Sequence, residues 1–140
     1  MEIEIRRITQ DAAALTEQVA DGVFDRAPDA AALRAFLASP GHVLFLARAG
    51  ETAVGQLRAI VHHQPDAAPD LYLDNLGVAP AWRRRGIGRA LVEAARQEAR
   101  RRGCRELWLA AEPDNDEARA FYTALGWRIQ PALLVSRSPG

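Results

Sequence analysis

The sequence contains no lysine, so all 18 of its basic residues are arginine, and 18 acidic residues balance them to a formal net charge of +0. It has one cysteine, Cys104. A lone cysteine excludes a disulfide framework and a cysteine-based zinc site. Without lysine there is no Walker phosphate loop, which needs G-x-x-x-x-G-K-[ST]. Aromatic residues make up only 6%. No apolar run approaches the roughly 20 residues that span a bilayer. The opening Met1-Glu2-Ile3-Glu4 is too acidic for a signal peptide. At 49% hydrophobic, the chain is too apolar to be intrinsically disordered. These absences predict a cytoplasmic, non-membrane chain forming a single domain over residues 1–140.

The charge is unevenly placed. Residues 1–82 carry 6 Arg against 11 acids, residues 83–105 carry 9 Arg against 2 acids, and residues 106–140 carry 3 Arg against 5 acids. The middle segment is therefore a basic block of net +7 between acidic flanks. Such a block asks for an anionic partner.

Hydrophobic periodicity and turn residues predict the elements. Residues 2–7 read as a strand, and 11–23 as a helix with Leu15, Val19 and Val23 four apart. A second helix starts from Asp29 and presents Leu33, Phe36 and Leu37 on one face. Residues 43–48 and 52–62 form a hairpin. Residues 71–78 read as a strand whose apolar parity changes midway, which predicts a β-bulge near Asn75. A long amphipathic helix follows over 87–102, ended by Gly103. Then come a strand over 106–111, a helix over 115–125 ended by Gly126, and two short strands over 127–130 and 132–137. The order βααβββαβαββ predicts an α/β (α+β) domain.

The most informative stretch is Arg83-Arg84-Arg85-Gly86-Ile87-Gly88, between a strand and a long helix. A helix start leaves unpaired N–H groups and partial positive charge, glycines let a ligand approach the backbone, and arginines donate bidentate hydrogen bonds to phosphate. A Rossmann fingerprint fails, because Leu91 stands at the third glycine position. The remaining reading is a single pyrophosphate cradle. Arg100-Arg101-Arg102, at the other end of the same helix, reads as a solvated face.

Arg83-x-x-Gly86-x-Gly88 after Leu76-Gly77-Val78-Ala79-Pro80 resembles the acetyl-CoA motif of the GNAT N-acetyltransferase family, [RQ]-x-x-G-x-[GA]. The segment from Asn115 to Trp127 resembles the family's second hallmark, N-x-x-A-x-x-F-Y-x-x-x-G-[FW]. The resemblance implies a GNAT-type domain with a mixed, mostly antiparallel sheet of about six to seven strands and about four helices. It also implies acetyl-CoA as cofactor. Leu76, Gly77 and Val78 would supply backbone contacts to the pantetheine arm. Arg83, Arg84, Arg85, Gly86, Ile87, Gly88 and Arg89 would embrace the pyrophosphate. Asn115 would contact the cofactor, and Tyr122 would serve as general acid toward the CoA sulfur. A phenol of pKa about 10 keeps its proton at neutral pH and can donate it to a thiolate. Tyr122 also fits plain core packing, the role given to Phe121 and Trp127.

For the general base, Asp74 is the first candidate, on the strand that lines the acceptor side in the family, beside Asn75. His62, His63 and Glu112 are weaker ones. The segment 23–25, the region around Pro40-Gly41-His42 and the loop 66–70 look similar to the aminoglycoside 3-N-acetyltransferase branch. That branch favours an acidic residue where Asn75 stands. The resemblance thus implies acetyl transfer to a primary amine of a small molecule: an aminoglycoside, a polyamine or similar. A non-catalytic acetyl-CoA sensor and a protein or peptide N-acetyltransferase are alternatives. Nucleic-acid binding through the arginine block lacks an aromatic platform or a recognition helix. A homodimer through the terminal strands is a further expectation, with Leu133, Leu134 and Val135 as its surface.

Overall fold

In the computed structural model, which describes residues 2–140, four antiparallel strands follow one another across a sheet: β1 (Ile3–Arg7), β2 (His42–Ala49), β3 (Thr52–His62) and β4 (Asp70–Val78). A fifth, β5 (Glu106–Trp108), lies parallel to β4 at the edge. Three α-helices, α1 (Ala30–Ala38), α2 (Ile87–Arg101) and α3 (Asp116–Ala124), and two 3-10 helices, Gln10–Thr16 and Pro80–Trp82, complete the described elements. The mixed, mostly antiparallel α+β architecture is the expected one, but the sheet has five strands rather than six or seven. No described helix is long and apolar enough to cross a membrane.

The chain forms two compact units, one running to Trp108 and the other Leu109–Gly140. In the first, β2 and β3 are apolar on both faces because both are covered. α2 packs on one face with Ile87, Leu91, Val92 and Ala95 buried. The 3-10 helix Gln10–Thr16 and α1 pack on the other, where Leu15, Val19, Phe24, Leu33, Phe36 and Leu37 surround Ile8, Leu44, Leu46 and Ala53. Burying a side chain of this size contributes about 1.5–3 kcal/mol. Asp29 caps α1 as expected, accepting from the Ala32 N–H at 2.8 Å.

Two departures have physical causes. The predicted helix over 11–23 is only a 3-10 stretch to Thr16. Beyond it the backbone bonds to the start of β3, through Ala53 N–H to the Gln18 carbonyl and Ala20 N–H to the Ala53 carbonyl. Helical spacing and a bridge to β3 both bury Val19, and the bridge forms. The two predicted final strands are absent. Residues 127–140 have no strand partner, and Leu133, Leu134 and Val135 are 91%, 76% and 84% exposed. An apolar run makes a strand only where an edge pairs with it.

The predicted bulge is present. Asn75 pairs with Arg58 and Leu73 with Ala59, so Asp74 is the extra residue. It reverses the parity of β4. Leu71 and Leu73 face the core on one side of the bulge, and Asn75 and Gly77 face α1 and the 20s loop on the other. Gly77 is obligatory, because a Cβ there would lie 2.1 Å from the Val23 carbonyl oxygen.

Candidate active site

The first unit brings two parts of a site together. One is the start of α2. After Pro80–Trp82 the backbone turns through Arg84 at φ 64 and Gly86 at φ 79. A non-glycine residue in that region costs about 1–3 kcal/mol. Gly86 is the N-cap of α2 and has no side chain to bond the first turn. The N–H groups of Ile87, Gly88 and Arg89 therefore have no helical or capping partner. A Cβ on Gly86 would meet nothing within 4 Å, so the space above it is open. Arg83 bonds back from Nε to the Val78 carbonyl at 3.3 Å, tying the turn to the end of β4. The Arg85 guanidinium lies 4.6 Å over the Trp82 ring. Arg84 and Arg89 are exposed. The arrangement offers an anion unpaired N–H donors and positive charge, and its donor set fits a pyrophosphate.

The other part is the bulged half of β4. Its parallel pairing with β5 ends at Tyr72 and Trp108, so no described strand pairs with Leu73–Val78 on that side. Leu76, Gly77 and Val78 thus offer backbone groups along an open edge. On the face opposite α2, the Asp74 carboxylate receives the Arg58 Nε at 2.8 Å. Arg58 lines a cavity of about 260 Å³, together with Phe24, Asp25, Arg26, Leu33 and Phe36. Beside it, the buried Gln56 donates from Nε2 to the Val23 carbonyl at 3.2 Å and to Asn75 Oδ1 at 2.6 Å.

Of the candidate bases in the first unit, Asp74 alone lies at this face. His62 and His63 are exposed at the far end of β3, four and five residues beyond Arg58, a strand distance of about 13 Å or more. Glu112 belongs to the second unit. Among the described residues no cluster of His, Cys, Asp or Glu could hold a metal ion.

In the second unit, Asn115 is the N-cap of α3 and accepts from the Ala118 N–H at 3.0 Å. Tyr122 is buried, with ring centroids of Phe121 and Trp127 4.9 and 5.2 Å away. Burial pushes its phenol up to about 12. Tyr122 is thus both a packed ring and a proton holder.

The basic block divides. Arg101 and Arg102 are not a solvated face: both bond the buried carboxylate of Glu98, which Arg7 approaches to 3.8 Å from β1. Burial raises the Glu98 carboxyl, but the hydrogen bond from Arg102, the charge of Arg7 and the contact with Arg101 outweigh it, leaving the group below its ordinary value. Arg96 pairs with Glu93 at 2.9 Å and Arg105 with Asp70 at 3.0 Å. Glu98, Gln56 and Arg58 are not singled out by the motifs. Their signals are weaker: a carboxylate three and four residues before two arginines, and polar residues inside an apolar strand.

Residues 7–127 match the family model described as "Acetyltransferase (GNAT) family". The chain is 32% identical to the aminoglycoside N(6′)-acetyltransferase type 1 of Stenotrophomonas maltophilia, covering 96% of this chain and 92% of that protein. Over 55 residues it is 42% identical to the ribosomal-protein-alanine N-acetyltransferase of Escherichia coli (strain K12), covering 39% of this chain and 37% of that one. Its fold matches that of AAC(6′)-Iy, solved with the bisubstrate analogue CoA-S-monomethyl-acetylneamine, at a TM-score of 0.84 and 22% identity over 100% of both chains. The aminoglycoside enzymes are named for the 6′ amine rather than the 3 position of the branch that the loops suggest. The cradle at α2, the open edge of β4 and these matches agree: the chain belongs to the acetyltransferase (GNAT) family and is an acetyl-CoA-dependent N-acetyltransferase.

Proposed function

We propose that the acceptor is an aminoglycoside-like small molecule, acetylated on a primary amine by direct attack, and that residues 1–140 act as one domain. The observation that carries this is the pairing of an anion cradle at the start of α2 with a cavity on the opposite face of the sheet, joined by the bulged half of β4. The similarity to aminoglycoside N(6′)-acetyltransferases supports the acceptor class.

When bound, acetyl-CoA supplies an acetyl group activated as a thioester. The residues proposed to hold it are Arg83, Arg84, Arg85, Gly86, Ile87, Gly88 and Arg89 at the pyrophosphate, the backbone of Leu76, Gly77 and Val78 along the arm, and Asn115. Asp74 meets the ammonium form of the acceptor and takes up its proton directly or through water. Tyr122, protonated up to about pH 12, keeps a proton available for the departing sulfur. Four arginines of the basic block, Arg96, Arg101, Arg102 and Arg105, are engaged by carboxylates, which favours this reading over nucleic-acid binding. The acidic flanks suit a cationic acceptor. We place the reaction in the cytoplasm. A second copy of the chain is proposed to cover Leu133, Leu134 and Val135.

The test is release of free CoA from acetyl-CoA with aminoglycosides, polyamines, amino acids and short peptides. Turnover is expected with aminoglycosides. Turnover confined to peptides would instead favour the activity of the ribosomal-protein relative, and none with any amine would favour a sensor.

A further inference from the structure

Gln56 sits at the centre of β3 with no exposed surface, and its carboxamide fixes the polarity of its neighbour. The Val23 carbonyl can only accept a hydrogen bond, so the Gln56 atom facing it at 3.2 Å must be Nε2. The second Nε2 hydrogen then needs an acceptor. The Asn75 atom 2.6 Å away must therefore be Oδ1, because Nδ2 there would set donor against donor. This arrangement leaves Gln56 Oε1 buried without a partner. The reverse arrangement would bury an unpaired NH₂ instead and oppose two carbonyl oxygens, which is the worse outcome. Gly77 makes the device possible. Lacking a Cβ, it lets the Val23 carbonyl reach the sheet directly above Gln56.

With Oδ1 committed inward, the half-buried Asn75 presents Nδ2 outward. That nitrogen has no hydrogen-bond partner among the described residues and is not buried. Asn75 lies directly across from Arg58, so the two share a face. Arg58 lines the cavity of about 260 Å³. α2 and the anion cradle lie on the other face. The free donor therefore addresses the acceptor.

We infer that Asn75 is a specificity-determining residue that donates a hydrogen bond to a hydroxyl or ether oxygen near the reacting amine, with Gln56 as the residue that positions it. The enzyme then selects oxygenated amines, amino sugars among them, over oxygen-free polyamines. Asp74, one residue earlier, offers a carboxylate to the ammonium group, so the bulge sets an acceptor and a donor side by side. This inference rests on the proposed acetyl transfer to a small amine.

The experiment compares kcat/KM for neamine and spermidine in the wild type, Asn75→Asp and Gln56→Met. Asn75→Asp keeps the bond from Gln56 and replaces the outward donor with an acceptor. It is expected to lower kcat/KM for neamine about tenfold, leave or raise that for spermidine, and leave KM for acetyl-CoA unchanged, since one neutral hydrogen bond is worth about that much. Gln56→Met frees the Asn75 amide to turn and is expected to move the ratio the same way by a smaller factor. If that variant does not fold, Asn75→Asp alone decides. An unchanged neamine-to-spermidine ratio in Asn75→Asp, or a change confined to the KM for acetyl-CoA, overturns the inference while leaving the proposed function standing. A wild type inert toward every amine overturns both.

Discussion

Arg58 and Asp74 meet at 2.8 Å at the point where β4 carries one residue more than β3. Alternation from Leu71 and Leu73 places Asp74 on the face opposite α2. The bulge turns Asn75 onto the same face, beside the arginine and the cavity. Both partners of the pair are more than a third exposed, so the contact contributes little stability and its effect is expected in catalysis. Asp74→Asn is expected to lower kcat/KM for a cationic acceptor by ten- to a hundredfold with KM for acetyl-CoA unchanged. Arg58→Gln leaves the carboxylate in place and is expected to cost less. Steady-state kinetics with both substrates varied checks the order, and Arg58→Gln costing more than Asp74→Asn would remove Asp74 from its role.

The cradle at α2 has a built-in control. Gly86 and Gly103 both have positive φ, at 79 and 70, and a Cβ on either meets nothing within 4 Å. Alanine at either position carries the same backbone cost, about 1 kcal/mol. Only at Gly86 does the new methyl enter the space above the helix start. Gly86→Ala is expected to raise the Kd for acetyl-CoA several-fold, and Gly103→Ala to leave it unchanged, with similar small losses of Tm. Calorimetric titration and thermal melts measure both.

Tyr122 is packed and is the proposed proton donor, and removing the hydroxyl alone separates the two. Tyr122→Phe keeps the ring between Phe121 and Trp127. Turnover is expected to fall by a hundredfold or more with the Kd for acetyl-CoA little changed. The same hydroxyl sets an alkaline limit on stability. Its folded pKa is raised from 10.0 to about 12, so its contribution is fully present below pH 10 and is lost as pH rises toward 12. Denaturant melts across that window are expected to show a decline that Tyr122→Phe flattens.

Much of this site can be read from residue types and spacing. Gly86 and Gly88 beside three arginines mark the anion cradle, since only a backbone freed of side chains at a helix start needs that composition. The parity change between Leu73 and Leu76 marks the bulge. What lies beyond local pattern depends on pairing across long separations. Glu98 and Arg7 are 91 positions apart, and Val23 and Gln56 are 33. No periodicity links such residues, and only the folded sheet brings them together. The C-terminal strands illustrate the converse: Leu133 to Val135 have strand composition, but no described edge pairs with them.

The exposed run at Leu133, Leu134 and Val135 gives the proposed second copy a direct test. Three neighbouring apolar side chains in water are an unusual feature for a lone chain. Leu134→Asp is expected to shift the protein from dimer to monomer in sedimentation, with the first unit's melting unchanged. A monomeric wild type at micromolar concentration would remove the dimer.

The carboxylate of Glu98 joins β1 to the end of α2 through Arg7, Arg101 and Arg102. Its folded pKa is lowered. Its contribution is therefore fully present above the unfolded value near 4.5 and is lost as pH falls through the lower folded value. Glu98→Gln keeps the shape and removes the charge. It is expected to destabilise the protein at pH 7 by about 1.5–3 kcal/mol, the range for a hydrogen bond to a charged group. The deficit is expected to shrink as the pH falls from the unfolded value through the lower folded value, where the wild-type carboxylate also becomes neutral. Urea melts from pH 7 downward through that range measure the difference, and the absence of a deficit at pH 7 would mean that Glu98 acts by shape rather than charge.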